Sequence, residues 1–213
     1  KSLADLPDGP EWSLEAEILA DKETSRIAEG ELSQPICTAI QILLVDLLGV
    51  AGIKFTTVVG HSSGEIAAAY TAGFLSATDA IRIAYYRGKY TKLAKGPNGK
   101  SGGMLAAGTD MADAAELVSL PKLKGRVQVA ASNSSASVTV SGDEDAIDFV
   151  QMIFEDESKF ARKLKVDTAY HSAHMIPCSP HYLEALGACG IQIQRPGPEA
   201  ARWYSSVLDG ELV

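Results

Sequence analysis

The sequence has no cysteine pair, no excess of basic residues, no internal repeat and no low-complexity tract, and each absence excludes something. Its three cysteines, Cys37, Cys178 and Cys189, are odd in number and widely spaced, which excludes a disulfide scaffold and points to a reduced, cytoplasmic setting. Acidic residues outnumber basic ones by 27 to 19, for a formal charge of −8, so a nucleic-acid backbone is excluded as a partner. No stretch reaches the roughly 18 consecutive apolar residues of a membrane span. The most apolar run, 36–45, is interrupted by Thr38 and Gln41 and ended by Asp46, so no membrane partner is expected. Residues 1–11 contain no apolar signal-peptide core, and the sequence does not open on Met, so the expectation is a piece of a longer chain. No metal-ligand spacing and no nucleotide motif is found, so neither a metal nor a permanently bound cofactor is expected.

What is present is an ordinary globular balance over 213 residues, 46% hydrophobic and 22% charged. That length supports one to two domains with a sizeable core. A loop with Pro7, Gly9 and Pro10 leads to a polar helix near 13–20, and apolar residues at helical spacing predict a second helix over 36–48, stopped by Gly49. A β-branched strand over 55–59, a sharp turn over 60–64 and an Ala-rich helix over 65–72 follow in the order of a doubly wound α/β sheet. Ser76 with Asp79 reads as a capping box opening a helix to about Leu93. The glycines at 96, 99, 102 and 103 read as a linker. Beyond it, strands over 104–107, 127–131, 137–141 and 160–166 alternate with helices over 111–119 and 143–155, with a polar turn at 132–135. That order, βαββαβ, is the ferredoxin-like unit. A Pro-broken helical segment over 171–186 and a turn-rich tail, with further strands expected only after it, complete the chain.

Gly60-His61-Ser62-Ser63-Gly64 matches the G-x-S-x-G elbow, in which a strained strand-to-helix turn exposes a nucleophilic serine at a helix N-terminus. The Ser63 N–H is the first candidate oxyanion donor. A serine needs a base. Of the histidines, His61 adjoins Ser62 on the turn, His171 stands where the chain leaves the ferredoxin-like unit, and His174 stands three residues further on. Spacing alone leaves His171 open between a base and a structural residue. Arg87 is equally open between a snorkelling surface cation and a bidentate carboxylate clamp.

Four motifs in order carry a resemblance across most of the chain. They are Gly60-His61-Ser62-Ser63-Gly64-Glu65, Tyr86-Arg87-Gly88, Ala131-Ser132-Asn133-Ser134 with 138–142, and Ala169-Tyr170-His171-Ser172. Together they resemble the malonyl-CoA:acyl-carrier-protein transacylase family, and more narrowly the acyltransferase domain of fungal iterative type I polyketide synthases. The resemblance implies an α/β-hydrolase-like core over 1–99 and 168–213, with an inserted ferredoxin-like subdomain over 100–167. It implies a ping-pong transfer by a Ser62–His171 dyad from malonyl-CoA to the phosphopantetheine arm of an acyl carrier protein, with neighbouring synthase domains as partners. Arg87 is implied to pair the malonyl carboxylate. Gln34, His61, Ser63, Asn133 and Tyr170 are implied to line the site, with Asn133 helping to hold the histidine region. The 168–171 segment is implied to bear on extender choice, and malonyl is favoured over methylmalonyl. The family's upstream Gly-Gln-Gly segment, which supplies the second oxyanion donor, is absent from the sequence, as are the strand and helix that follow the 203–207 region. The expectation is a fragment weakened as a catalyst, one oxyanion donor being worth about 10²–10³ in rate.

Two other readings stay open on the residues. A serine hydrolase shares the elbow and finds acids such as Asp143 and Asp167 between Ser62 and His171, and a patatin-like lipase would use the Asp209-Gly210 pair. A non-catalytic acyltransferase-like module is the third possibility.

Overall fold

The polar helix expected near 13–20 is a short one, α1 (Leu14–Ile18), capped by Ser13. The structure, a computed structural model, describes residues 2–208 and 210–213. The chain is mixed α/β and divides into two units, Lys1–Tyr90 with His181–Val213, and Thr91–Pro180.

In the first unit, α2 (Gly30–Val50) begins six residues before the helix expected from periodicity and runs through Pro35. β1 (Thr57–Gly60) leads through the turn into α3 (Gly64–Thr71), and α4 (Ala77–Lys89) follows. The Ser76 cap forms as read: its Oγ accepts the Asp79 N–H at 3.0 Å and donates to the Asp79 carboxylate at 2.7 Å. The helix ends at Lys89, and 90–93 tightens into a 3-10 turn. Ile42, Ile66, Ala69, Leu75, Ala80 and Ala84 form one apolar core of this unit. By length and composition alone α2 could cross a membrane, a property core helices share. Its Leu32, Ile36, Ala39 and Ile42 are buried, whereas Leu43, Leu44 and Leu47 are exposed.

The second unit holds β2 (Gly102–Ala107), α5 (Met111–Ser119), β3 (Val127–Ser134), β4 (Ser137–Asp143), α6 (Glu144–Asp156) and β5 (Ala161–Lys163). They build an antiparallel sheet in the order β3-β4-β2-β5, with Leu105, Val138, Val140, Ile147, Val150 and Phe154 buried among its core residues. Three expectations are corrected. Gly102 and Gly103 are strand, not linker: a Cβ on Gly102 would lie 2.7 Å from the Ala169 Cβ, so close packing, not chain flexibility, requires this glycine. The polar turn expected at 132–135 is mostly strand, because β3 continues pairing with β4 out to Ser134. β5 is only three residues long, since it meets β2 over 105–107 alone.

Gly96 packs against His174 and Asp143, and Ala169 against Gly102, so both the 96–100 segment and 168–180 belong to the second unit. The bounds expected at 100 and 167 therefore fall inside it. The Pro-broken segment is a 3-10 turn, Ala173–Cys178, followed by α7 (Ser179–Ala188). The tail is not short of strands: β6 (Arg202–Ser205) pairs in parallel with β1, Val59 opposite Tyr204 and Gly60 opposite Ser205.

Candidate active site

A tight strand-to-helix connection requires backbone atoms to approach where a Cβ would stand. At Gly60 an added Cβ would lie 2.3 Å from the Glu65 N and from the Gly64 carbonyl group, so the turn accepts no side chain there. Gly64 is different: its added Cβ meets nothing closer than Gln41 Nε2 at 3.9 Å. Ser62, between them, has φ 54°, the left-handed region that costs a non-glycine residue about 1–2 kcal/mol. Gly64 N–H donates to His61 O at 2.9 Å and Glu65 N–H to Ser62 O at 3.2 Å, closing the turn into α3. His61 is exposed, and Ser62 and Ser63 are partly buried at the mouth of α3.

Glu65, quoted in the motif but given no role on sequence grounds, ties this elbow to the end of β6. Its carboxylate accepts from Trp203 Nε1 at 2.7 Å, Ser206 N–H at 2.6 Å and Ser206 Oγ at 2.7 Å. These partners are some 140 residues away in sequence, beyond the reach of local pattern.

Arg87 and Gln34, two expected site residues, come together in the first unit: Arg87 Nη1 donates to Gln34 Oε1. Gly88 makes this possible, because its bare Cα lets α4 close on α2. A Cβ there would lie 2.5 Å from Gly30 O and 3.2 Å from the Gln34 Cβ. Arg87 is partly buried, not an extended surface cation. Tyr182, missed in the sequence, lies near enough to feel its charge. Burial pushes the Tyr182 phenol up to about 12, against the opposing pull of Arg87.

His171, Tyr170 and Asn133 lie in the second unit. His171 is exposed and has φ 59°, so Ser62 and His171 are two of the three non-glycine residues with positive φ among those described, the third being Ser158. Its carbonyl accepts from Gln128 Nε2 at 2.8 Å. Asn133 instead donates to Thr139 Oγ1 at 3.0 Å across the β3–β4 hairpin. The bond to the His171 backbone comes from Gln128, five residues before Asn133 on β3. Tyr170 is half-buried and donates its N–H to Thr168 O at 3.0 Å. Of the acids weighed for a hydrolase triad, Asp143 accepts from His174 Nε2 at 2.9 Å and Arg126 Nε at 3.1 Å, and Asp167 accepts from Thr168 Oγ1 at 3.0 Å. Asp209 lies outside the described residues.

Comparison with known proteins agrees with these features. The model of the acyl transferase domain matches residues 7–211. The polyketide synthase-nonribosomal peptide synthetase ffsA of Aspergillus flavipes is 61% identical over 207 residues, 97% of this chain, and the hybrid PKS-NRPS synthetase buaA of Petromyces alliaceus is 60% identical over all of it. The chain spans about 5% of the length of either relative. Among solved structures, the acyltransferase domain from module 8 of the salinomycin polyketide synthase superposes with a TM-score of 0.86 at 30% identity, covering 100% of this chain and 47% of that one. FabD from Acinetobacter baumannii gives 0.81 at 27%, covering 100% and 65%. The fold and the elbow thus define an acyltransferase-type α/β protein. The chain belongs to the acyl transferase domain family, with polyketide synthase acyltransferase domains and FabD-type transacylases as its relatives.

Proposed function

We propose that this chain loads malonyl extender units in polyketide assembly, within a longer synthase, moving them from malonyl-CoA to the phosphopantetheine thiol of an acyl carrier protein. We read the first unit as the α/β-hydrolase-like subdomain and the second as the ferredoxin-like one, the βαββαβ order and β3-β4-β2-β5 sheet supporting the latter. In the first half-reaction the Ser62 Oγ attacks the thioester carbonyl while His171 takes its proton. The tetrahedral oxyanion is stabilised by backbone N–H groups at the start of α3, Ser63 first. The intermediate collapses to malonyl-Ser62, and CoA leaves as the thiol with the proton from His171. In the second, His171 takes the proton of the carrier thiol, the thiolate attacks the ester, and the proton returns to Ser62. Arg87 pairs the free malonyl carboxylate, a bidentate match that an acetyl group cannot offer. Tyr170 lies beside the acyl group and, with Gln34 orienting Arg87, favours malonyl over methylmalonyl.

The observation that carries this reading is the elbow: Gly60 without room for a Cβ, and Ser62 held at φ 54° at the mouth of a helix. A strained backbone at one serine of a G-x-S-x-G turn is what a nucleophile needs and what a surface loop does not. The test is product analysis with radiolabelled malonyl-CoA and a holo acyl carrier protein. Labelled carrier protein, with free malonate a minor product, supports transfer; free malonate alone identifies a hydrolase; neither product, with Ser62 unreactive to a fluorophosphonate, identifies an inert module.

A further inference from the structure

The segment that carries His171 is held by a buried pair that the mechanism above leaves unused. His174 is 2% exposed, and its Nε2 donates at 2.9 Å to Asp143, itself 3% exposed. The other Asp143 oxygen accepts from Arg126 Nε at 3.1 Å, with Lys100 Nζ at 3.7 Å, so the buried carboxylate is compensated. Glycines close the pocket. A Cβ on Gly96 would lie 2.4 Å from His174 Nε2, and one on Gly102 would lie 3.0 Å from His174 Nδ1. The His174 carbonyl accepts the Lys95 N–H at 3.1 Å.

The imidazole of His174 is therefore locked on several sides, and His171, three residues earlier, is strained. The bonds between them are short-range. Ser172 Oγ donates to Ala169 O at 2.7 Å and accepts the His174 N–H at 3.2 Å. A left-handed non-glycine residue persists only where its surroundings over-determine it. Gln128 supplies one such constraint at the His171 carbonyl, and the anchored His174 supplies the other end of the arch.

We infer that His174, clamped by Asp143, is a positioning residue that fixes the left-handed backbone of His171 and so aims its imidazole. Its effect on rate rests on the reading of His171 as the base; its effect on conformation does not. The test uses the intact chain labelled at histidine, with the His171 ring resonance assigned by its loss in His171→Gln. In His174→Leu, which keeps volume but removes the donor, the His171 resonance moves while those of His61 and His181 stay. Gly96→Ala, which wedges the ring out of its pocket, moves it too and serves where His174→Leu folds poorly. His174→Gln, whose amide reaches the place of Nε2, restores it. The rate of Ser62 acylation by malonyl-CoA falls about 10–100-fold in the first two variants, with half-saturation changed less than about twofold, as expected for misplacement and not lost binding. An unmoved His171 resonance in both, or an equal effect of Leu and Gln, overturns the clamp. A moved resonance with an unchanged acylation rate upholds the clamp and removes His171 as base.

Discussion

Arg87 Nη1 donates to Gln34 Oε1 across α4 and α2, at the point where Gly88 lets the two helices close to backbone contact. The bond holds one edge of the guanidinium and fixes the plane of the fork. If that fork receives the malonyl carboxylate, Arg87→Ala lowers the acylation rate at limiting malonyl-CoA by about 10–100-fold, the value of roughly 1.5–3 kcal/mol for bonds to charged groups. The acetyl-CoA rate stays level or rises. Arg87→Lys restores little, because an ammonium has no planar fork. Competition between the two CoA esters, read by intact mass, checks this.

The two glycines of the elbow are unequal. Gly60→Ala forces a Cβ to within 2.3 Å of backbone that cannot turn aside, whereas Gly64→Ala meets only open space and one amide at 3.9 Å. Gly60→Ala is expected to destabilise by at least the 1–3 kcal/mol typical of overpacking, roughly, while Gly64→Ala stays within about 1 kcal/mol of the parent. Urea midpoints of the two variants measure the difference, and equal midpoints contradict the geometry.

Glu65 is the joint between α3 and β6. Glu65→Ala leaves the Trp203 indole N–H and the Ser206 N–H without their acceptor, while the Ser206 hydroxyl keeps the Gly60 carbonyl at 2.7 Å. A loss of about 2–3 kcal/mol is expected from bonds to a charged group. Trp203, edge-on to Phe74 at 5.6 Å, reports it directly: its emission shifts red before global unfolding if β6 detaches.

Acid stability has a local contributor. The Lys159 ammonium, then the Thr109 hydroxyl, hold the Asp113 carboxyl below its ordinary value. A depressed folded-state pKa contributes stability above the unfolded value of about 3.9 and loses it as pH falls through the folded one. Asp113→Asn therefore flattens the decline of unfolding free energy below about pH 4 and leaves the slope near neutrality unchanged. The Asp113 side chain is 42% exposed, so salt screens it and the effect is small and shrinks in high salt. Urea titrations between acid and neutral pH, with and without salt, measure it.

Where local chemistry decides structure, the sequence was legible: the Ser76–Asp79 cap, the bounds of α5 at 111–119 and the elbow at 60–64 all formed as read. Where distant partners decide, it was not. Gly102 and Gly103 look like a linker until Ala169 and His174 are packed against Gly102. The tail looks unstructured until β1 offers it a parallel partner. Among the candidate residues, Ser62, Arg87 and His171 stand out by motif. Gln128 and Tyr182 carry no local signal, and Glu65 sits in a motif without a readable role, because what each does depends on what faces it across strands and helices.

Intact-protein mass spectrometry after mixing with malonyl-CoA reads an acyl-enzyme on Ser62 without any coupled step. A single malonyl increment is expected, mapped to the peptide holding Ser62, lost in Ser62→Ala and formed far more slowly in His171→Ala. An increment that survives Ser62→Ala, or a protein that stays unmodified while malonyl-CoA is consumed, contradicts it.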